Sequence, residues 1–194
     1  MYKLIRTQEE FLKIELDLGL IVFCDTETSI DHGETKGGLY GKVRLIQIYQ
    51  KGWTNAVLMD SLFIDLQTIL DKLQPHHLVF HNANYDLHTI NLHTDTLWLP
   101  SKVDDTIYLS RLEYFNQKKF TFYDCLKYAG LSDSIIKGID KSKNQRADWG
   151  GPLTEDLRLY AAYDVIYLSK LWDKVQRKQY TVPYMLDIKN LEYA

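Results

Sequence analysis

The chain has 194 residues, of which 45% are hydrophobic and 25% are charged, and its formal net charge is −3. This length and composition predict one soluble globular domain spanning residues 1–194, and no apolar stretch approaches the roughly 18 residues that a membrane helix needs. The slight acidity argues against a broad nucleic-acid-binding surface, unless some of the acids bind cations. Two divalent cations bound by four carboxylates would turn the net charge slightly positive.

The chain shows no signal for export and none for an internal boundary. The first residues, MYKLIRTQEEFLKI, lack the apolar core of a signal peptide, so we expect a cytoplasmic protein. Cys24 and Cys125 are too few and too scattered for a disulfide framework or a thiolate metal site, and we expect both to be reduced and partly buried. The sequence has no repeat, low-complexity segment or Pro/Gly/Ser linker.

The first elements along the chain are strands. LGLIVFCD, residues 18–25, is a nearly continuous apolar run of strand length. The polar segment 29–42 contains four glycines and predicts a loop. VRLIQIYQ, residues 43–50, alternates apolar and polar positions, and NAVLMD, residues 55–60, is a third strand. Three successive strands predict a meander.

Strands and helices then alternate, and the chain ends mainly in helices. Residues 62–73 have helical spacing, and the strand predicted at 77–81 turns directly into a helix. SKVDDTIYLSRL repeats this switch with Asp105 as the helix N-cap. Residues 150–179 predict a long helix with Thr154 as its N-cap. The pattern predicts an α/β fold with a mixed central sheet, a three-strand meander and flanking helices.

Three segments place acids where α/β proteins build their sites, near strand ends and helix starts. Asp25 and Glu27, in the sequence DTE, point to one side of a strand because side chains at i and i+2 share a face. Asp86 ends the sequence NANYD, which follows a strand and opens a helix. Tyr160 and Asp164 share one face of the long helix at i, i+4.

Each segment taken alone also has an ordinary structural interpretation. Asp25 and Glu27 could be a cap and a surface acid at a strand end. Asp86 could be an acid favoured by the dipole at a helix N-terminus. Tyr160 could be a packing aromatic in a chain that has 14 tyrosines. The order and spacing of the three segments together favour a shared site.

The three segments resemble the three exonuclease motifs of the DEDD (DnaQ-like) superfamily, in its tyrosine branch, DEDDy. This superfamily includes ribonuclease D and the proofreading domains of DNA polymerases. The matching residues, in motif order, are Asp25 and Glu27, then Asn82, Tyr85 and Asp86, then Tyr160 and Asp164. Residues 141–168, KSKNQRADWGGPLTEDLRLYAAYDVIYL, are similar to ribonuclease D in particular, and the similarity runs over residues 20–172. The sister branch has a histidine where this chain has Leu159.

The resemblance implies a ribonuclease H-like fold and metal-dependent 3′-to-5′ removal of nucleotides from a strand with a free 3′ end. Asp25, Glu27, Asp86 and Asp164 would be the metal ligands, and hard oxygen ligands select Mg²⁺ or Mn²⁺. Two such ions about 3.5–4 Å apart stabilise both the attacking and the leaving oxygen of a phosphoryl displacement. The intrinsic pKa of a tyrosine, near 10, favours Tyr160 as a group that orients the attacking water over a full general base.

The second half of the chain contains a run of basic residues, which are Lys118, Lys119, Lys137, Lys141, Lys143 and Arg146. In ribonuclease D-like proteins the segment with Gln145, Arg146 and Trp149 lies near the substrate strand. The resemblance therefore gives six candidate substrate contacts: Thr26, Asn82, Tyr85, Lys143, Gln145 and Arg146. A solvated loop is the alternative for the basic run, and such phosphate contacts would position a strand without reading its sequence.

Several other side chains allow a functional and an ordinary interpretation. Trp149 is more often a packing residue, and Arg44 and Tyr40 could guide the terminal nucleotides or be surface residues. The histidines His76, His77, His81, His88 and His93 cluster in the sequence and could be misread as a zinc site. They lack cysteine partners and an HExxH pattern, so we expect no metal there.

Three functions remain open from the sequence. Ribonuclease D carries further helical domains for structured RNA, whereas this chain ends 30 residues after Asp164, so we expect short single strands as substrates. Compact relatives act as rings or dimers, which leaves a homo-oligomer open. An exoribonuclease is the leading hypothesis, and the alternatives are a proofreading-like DNA exonuclease and a non-catalytic nucleic-acid-binding scaffold. The four acids, the tyrosine and the low basic charge weigh against the scaffold.

Overall fold

A computed structural model describes residues 1–29, 41–131, 147 and 149–176 of the chain. At its centre lies a six-stranded sheet with the strand order β1-β4-β3-β2-β5-β6. The strands are β1 (Tyr2–Ile5), β2 (Val22–Ser29), β3 (Lys42–Gln50), β4 (Ala56–Asp60), β5 (His77–Phe80) and β6 (Lys102–Asp105). The sheet is mixed, because β2, β3 and β4 pair antiparallel while β1, β5 and β6 join their neighbours in parallel.

Helices flank this sheet, and most of them begin at a side-chain cap. The helices are α1 (Gln8–Leu12), α2 (Leu66–Leu73), α3 (Ala83–Asn91), α4 (Thr106–Glu113), α5 (Phe122–Tyr128) and α6 (Glu155–Val175). The predicted caps are confirmed: Asp105 accepts from the Ile107 N–H, and Thr154 accepts from the Leu157 N–H. The predicted α/β fold with a three-strand meander and flanking helices is therefore confirmed. No helix among the described residues is long and apolar enough to cross a membrane.

The boundaries of the first long strand differ from the prediction. We predicted a strand over residues 18–25, but β2 begins at Val22 and continues to Ser29. The strand does not end at the acids because β3 goes on pairing with it, with Asp25 opposite Gln47 and Glu27 opposite Leu45. The two carboxylates thus lie within a paired strand, which holds their backbone rigidly.

Two amino-terminal elements were not predicted. β1 pairs in parallel with β4 and forms one edge of the sheet. It has four residues and only its last, Ile5, is buried, so it shows neither a clear alternation nor an apolar run. The helix α1 that follows has five residues and is capped by Thr7, whose side chain accepts from the Glu10 N–H. Both elements are too short for periodicity to reveal them.

The sheet opens on one side of β2 just before the acids. β5 pairs with β2 only at Val22–Leu78 and Phe23–Val79, and the chain then leaves β5 after Phe80 to enter α3. From Asp25 onward, the β5 side of β2 therefore faces the start of α3 instead of a neighbouring strand. This opening between a central strand and a helix start is the kind of crevice in which α/β proteins bind ligands.

The two faces of the sheet carry separate apolar cores. On one face, α6 packs over Phe23, Leu45 and Leu58, and its Ala161 and Ala162 are fully buried. These small side chains allow the helix axis to approach the sheet closely. On the opposite face, Cys24, Ile46 and Ile48 pack with side chains of α1, α2 and α3. Cys24 and Cys125 are free, as predicted, and both are fully buried where we predicted partial burial.

Candidate active site

Three carboxylates meet on the α6 face of the sheet. Asp25 and Glu27 alternate with the buried Thr26 along β2, so both point toward α6. Asp164 on α6 meets them there, and one ligand oxygen from each of the three residues lies within 4.8 Å of the other two. All three side chains are only partly buried. The predicted convergence of Asp25, Glu27 and Asp164 is confirmed as a cluster that could hold a cation.

Asp86 reaches the same region from the opposite face of the sheet. It lies in the first turn of α3, is 2% exposed, and accepts a 2.7 Å hydrogen bond from the Thr26 hydroxyl. Thr26 points to this face because it alternates with Asp25 and Glu27 on β2. Asp86 is not one of the three acids within 4.8 Å, but its negative charge is close enough to raise the pKa of Asp25.

The turn that carries Asp86 is held by another acid, Asp105. Asn82 has a left-handed backbone with φ of 72°, which asparagine tolerates better than most residues, and its side chain makes no cap hydrogen bond to α3. The Asp105 carboxylate accepts from the backbone N–H groups of Asn82 at 2.8 Å and of Ala83 at 2.9 Å. It also caps α4, so one side chain ties the ends of β5 and β6 to the starts of two helices.

Gln47 lies beneath the pair of acids on β2. Its side chain is 0% exposed, and its Nε2 donates to Asp25 Oδ2 at 2.7 Å and approaches Glu27 Oε1 at 3.4 Å. Neither Asp25 nor Glu27 forms an ion pair with a basic side chain in the part of the chain that the structure describes. The pair is therefore stabilised by neutral donors, the Gln47 amide and the Thr26 backbone N–H, and by no positive charge among the described residues.

Burial and mutual repulsion raise the pKa values of these acids. The pKa of Asp25 lies well above its usual range because the group is desolvated and lies beside the charges of Asp86 and Asp164. Desolvation, followed by the charges of Asp25 and Asp164, raises the pKa of Glu27 in the same way. Burial raises the pKa of Asp86 to about 7, although the hydrogen bond from Thr26 acts against it. A cation among these carboxylates would offset the repulsion.

Tyr160 lies one helical turn before Asp164 and belongs to the same site. Its ring is 8% exposed and packs against Trp149, with 6.2 Å between the ring centroids. Its hydroxyl hydrogen-bonds to the Asp164 carboxylate. Desolvation and the charges of Asp164, Glu27 and Asp25 raise the pKa of the phenol, which therefore stays protonated as a hydrogen-bond donor. Tyr160 is thus both a packing residue and a polar group at the edge of the acidic cluster.

The predicted substrate contacts are only partly described. Thr26 contacts Asp86, and the Tyr85 hydroxyl lies 3.5 Å from the Thr28 hydroxyl, beside the acids. Asn82 and Tyr85 also line an open groove of about 950 Å³ along α3, together with Leu97 and Leu99. The remaining candidates, Lys143, Gln145 and Arg146, lie outside the described residues, as do Tyr40, Lys137 and Lys141.

Three alternatives from the sequence are resolved by burial and contacts. Arg44 is 4% exposed and forms an ion pair with Asp60 at 3.0 Å, so our suggestion that it guides nucleotides is wrong. Trp149 is 2% exposed in the core beneath α6, as expected of a packing residue. Lys118 and Lys119 are solvent-exposed, which fits the interpretation of a solvated loop at that point.

The histidines do not form a metal site among the described residues, where the metal-ligating cluster consists of carboxylates alone. His77 Nε2 lies 2.7 Å from Asp104 Oδ2, and the two ring nitrogens of His81 contact the Thr106 hydroxyl and the Phe120 carbonyl. These ring nitrogens already have protein partners. His77 and His81 therefore serve contacts within the fold.

Sequence reasoning missed one residue that shapes the site, Gln47, and one contact, that of Asp105 with the Asn82 turn. Gln47 is a polar residue in the alternating strand VRLIQIYQ and was not singled out from the sequence, yet it is fully buried. The signal that could have found it is its cross-strand register with Asp25, which requires the sheet to be known. Asp105 was predicted as a cap for α4, but its contact with the Asn82 turn depends on β5 and β6 lying side by side.

The donor set fits a divalent cation. The cluster offers carboxylate oxygens only, which suit hard cations such as Mg²⁺ and Mn²⁺ and do not suit soft metals. Three acids lie within 4.8 Å of one another, and a fourth, Asp86, lies nearby on α3. The fold and the site thus define an α/β protein with an acidic metal-binding centre at an opening in its sheet.

The chain belongs to a 3′–5′ exonuclease family, whose model matches residues 2–179. The family predicted from the three motifs is therefore confirmed. No curated protein sequence matches the chain. Among solved structures, Escherichia coli RNase D, an exoribonuclease involved in structured RNA processing, is similar with a TM-score of 0.63 and 25% identity. That match covers 91% of this chain and 45% of RNase D.

Two neighbours with lower sequence identity share the same ribonuclease H-like fold. Trypanosoma brucei RNase D in complex with GMP has a TM-score of 0.74 and 17% identity, over 92% of this chain and 57% of that one. Brucella melitensis NrnC bound to pGG has a TM-score of 0.59 and 23% identity, over 80% of this chain and 71% of that one. The chain spans about half the length of the RNase D structures that it matches.

Proposed function

We propose that this chain is a metal-dependent exonuclease that hydrolyses phosphodiester bonds from the 3′ end of single-stranded RNA or short oligoribonucleotides. The observation that carries the proposal is the cluster of Asp25, Glu27 and Asp164, whose ligand oxygens lie within 4.8 Å of one another. Three carboxylates so close together repel one another, and a bound cation would offset that repulsion.

Four acids would hold the metal, three from the α6 face and Asp86 from α3. Two divalent cations in such a site supply charge stabilisation for the attacking and the leaving oxygen of the phosphodiester. The protein's own contribution is placement. β2 and β3 hold Asp25 and Glu27 in a paired strand, α6 brings Asp164 down onto them, and Thr26 orients Asp86.

Tyr160 is proposed to orient the attacking water. Its hydroxyl lies at the acidic cluster, one helical turn from Asp164, and its ring is held by Trp149. A fixed hydroxyl at this place can hold a water beside the metal ligands while remaining protonated itself. General acid–base and orienting groups of this kind contribute roughly 10²–10⁴-fold to a rate.

RNA is the proposed substrate because of the similarity to RNase D at 25% identity and because NrnC, a weaker neighbour, binds pGG. We extend the proposal to residues 1–194 as one catalytic domain. Thr26, Asn82 and Tyr85 lie close enough to Asp86 to be near the terminal nucleotides. Lys143, Gln145 and Arg146 are proposed to contact the phosphates of the strand.

Digestion of end-labelled RNA and DNA of matched sequence and several lengths, with Mg²⁺ or with EDTA, tests the proposal. We expect stepwise shortening from the 3′ end that requires Mg²⁺ or Mn²⁺ and is faster on RNA. Faster digestion of DNA would favour the proofreading-like alternative. Binding of the strand without digestion, under all metal conditions, would favour a scaffold, and digestion in excess EDTA would contradict the metal site.

A further inference from the structure

The structure places Gln47 in contact with both acids of the first motif. Gln47 lies on β3 directly opposite Asp25 in the antiparallel register, so the two side chains are on the same face of the sheet. Its Nε2 donates to Asp25 Oδ2 at 2.7 Å and lies 3.4 Å from Glu27 Oε1. One amide group thus bridges two carboxylates at positions i and i+2 of the same strand, which would otherwise repel each other.

Packing does not account for an amide at this position. Gln47 is 0% exposed, and its neighbours on the same face of β3, Leu45 and Tyr49, pack in an apolar core. Its Oε1 is buried and has no hydrogen-bond partner among the described residues. An unsatisfied buried carbonyl oxygen costs stability that an apolar side chain of the same length would avoid. The amide is therefore explained by what its NH₂ group does for the acids.

A second glutamine on the same strand shows what a purely structural amide looks like. Gln50 is 1% exposed, and its side chain is used fully within the fold. Its Oε1 accepts from the Asp17 N–H, and its Nε2 donates to the carbonyls of Asp17 and Leu20. Gln50 holds the segment before β2 through backbone groups, and none of these hydrogen bonds among the described residues involves Asp25, Glu27, Asp86 or Asp164. It is a control of matched residue type, strand and burial.

We propose that Gln47 is a positioning residue for the metal ligands, whose amide holds Asp25 and Glu27 side by side so that their remaining oxygens face the cation. This inference rests on the proposed function, since it concerns the same metal site. Gln47 is fully buried beneath the acids and so does not touch the substrate. Its effect passes through the orientation of the two carboxylates, as with hydrogen-bond partners of metal ligands in general.

Direct measurement of metal binding tests the inference without relying on turnover. We would titrate Mn²⁺ into the wild type, Gln47→Met, Gln47→Asn and Gln50→Met and follow free Mn²⁺ by its electron paramagnetic resonance signal. Gln47→Met keeps the side-chain length but removes the donor, and we expect roughly 10- to 100-fold weaker Mn²⁺ binding. Gln47→Asn keeps an amide that is one methylene too short to reach both acids, and it should fall between Gln47→Met and the wild type.

Melting temperature, oligonucleotide affinity and cleavage, measured beside Mn²⁺ affinity, separate a positioning role of Gln47 from a loss of folding. Gln50→Met should lower the melting temperature but bind Mn²⁺ as the wild type does. In Gln47→Met we expect the affinity for a single-stranded oligonucleotide to stay unchanged, and the cleavage deficit to shrink as the metal concentration rises. In Asp25→Asn, which lacks a ligand, the deficit should persist.

The outcomes distinguish this inference from the function on which it rests. Wild-type Mn²⁺ affinity in both folded Gln47 variants, with cleavage still metal-dependent, overturns the role of Gln47 and leaves the exonuclease proposal intact. An equal loss of affinity in Gln50→Met also overturns it, because the effect would then be a general one on the sheet. A wild type that neither binds Mn²⁺ nor needs metal for cleavage overturns both proposals.

Discussion

The meander contains two groups of buried or partly buried acids that are neutralised in opposite ways. At the end of β4, Asp60 is fully buried and receives Arg6 Nε at 2.9 Å and Arg44 Nη1 at 3.0 Å. Asp25 and Glu27, on the neighbouring part of the same sheet, have no basic partner among the described residues, and one side-chain amide, that of Gln47, donates to both. Each group contains a carboxylate that water cannot fully solvate.

The difference shows which acids serve the fold and which serve a ligand. Two arginines complete the Asp60 site within the chain, so nothing further needs to bind there. The described residues supply no such basic side chain for Asp25 and Glu27, and Asp164 adds a third negative charge to them. A protein keeps such an arrangement where a bound cation completes it, and hence the two groups should respond differently to mutation, metal and pH.

Neutralising Asp25 should reduce cleavage and leave folding intact, whereas neutralising Asp60 should reduce stability and leave cleavage intact. Asp25→Asn removes a ligand charge at almost constant volume, and we expect cleavage to fall by about 10³-fold or more, because a metal contributes several kcal/mol to charge stabilisation. The protein should still unfold cooperatively. Single-turnover cleavage of a labelled oligonucleotide and thermal unfolding measure the two effects.

In Asp60→Asn the loss should fall on stability instead. This change leaves the buried Arg44 without its partner, and we expect the free energy of unfolding to drop by roughly 3–5 kcal/mol. The folded fraction should retain metal-dependent cleavage. Loss of cleavage in folded Asp60→Asn, or normal turnover in Asp25→Asn, would remove the distinction between the two groups of acids.

Tyr160→Phe tests whether the Tyr160 hydroxyl, a neutral group beside the acidic cluster, contributes to cleavage. The substitution removes the hydroxyl near Asp164 but keeps the ring that packs on Trp149. We expect kcat to fall by roughly 10- to 10³-fold, while the affinities for metal and oligonucleotide change little. Tyr167→Phe on the same helix, whose ring packs on Tyr163, is the control, and it should cleave at the wild-type rate. An unaltered rate in Tyr160→Phe would reduce Tyr160 to its packing role.

Addition of Mg²⁺ should stabilise the folded protein through Asp25 and Glu27 and not through Asp60. A cation that binds only the folded protein raises its stability by mass action, by about 2.7 kcal/mol at 100 times the dissociation constant. We expect the melting temperature to rise with Mg²⁺ in the wild type and, from a lower starting value, in Asp60→Asn. The rise should be much smaller in Asp25→Asn. Equal shifts in all three proteins would mean that the cation binds elsewhere.

The same acids should also give the protein a dependence on pH that metal reverses. In EDTA, the raised pKa values of Asp25, Glu27 and Asp86 mean that the folded protein holds protons which the unfolded chain releases near pH 4. This stabilisation is complete below that pH and is lost as the pH rises through the folded-state values, about 7 for Asp86. Stability should fall by about 1.4 kcal/mol per pH unit for each such proton.

Saturating Mg²⁺ should remove this fall or turn it into a rise, because the cation binds the deprotonated acids. Melting temperatures between about pH 5 and pH 8, with EDTA and with Mg²⁺, provide the comparison. Parallel curves under the two conditions would show that these acids do not bind the metal. Asp25→Asn in EDTA should show a shallower fall than the wild type, since it has one group fewer to deprotonate.

The amino-acid sequence by itself determined the fold class, the meander, the caps Asp105 and Thr154, and the identity of the acidic cluster. The elements and caps depend on local order, that is, on periodicity of two or 3.6 residues or a capping side chain before a helix. The acids of the cluster were recognised because three motifs in a fixed order resemble those of a known superfamily. The pair Asp25 and Glu27 could be recognised because i, i+2 alternation holds in any strand. The short β1 and α1 escaped prediction because too few residues carry the pattern.

Only the tertiary structure decided which polar side chains serve the acids and from which side each acid arrives. Arg44 and Gln47 occupy the same strand and their partners could not be read from the sequence, yet one pairs with Asp60 and the other with Asp25. Asp86 and Thr26 meet on the face opposite Glu27 because β5 ends early and α3 fills the opening. These contacts join residues far apart in the chain, and their distances follow from strand register and helix packing, which no local pattern encodes.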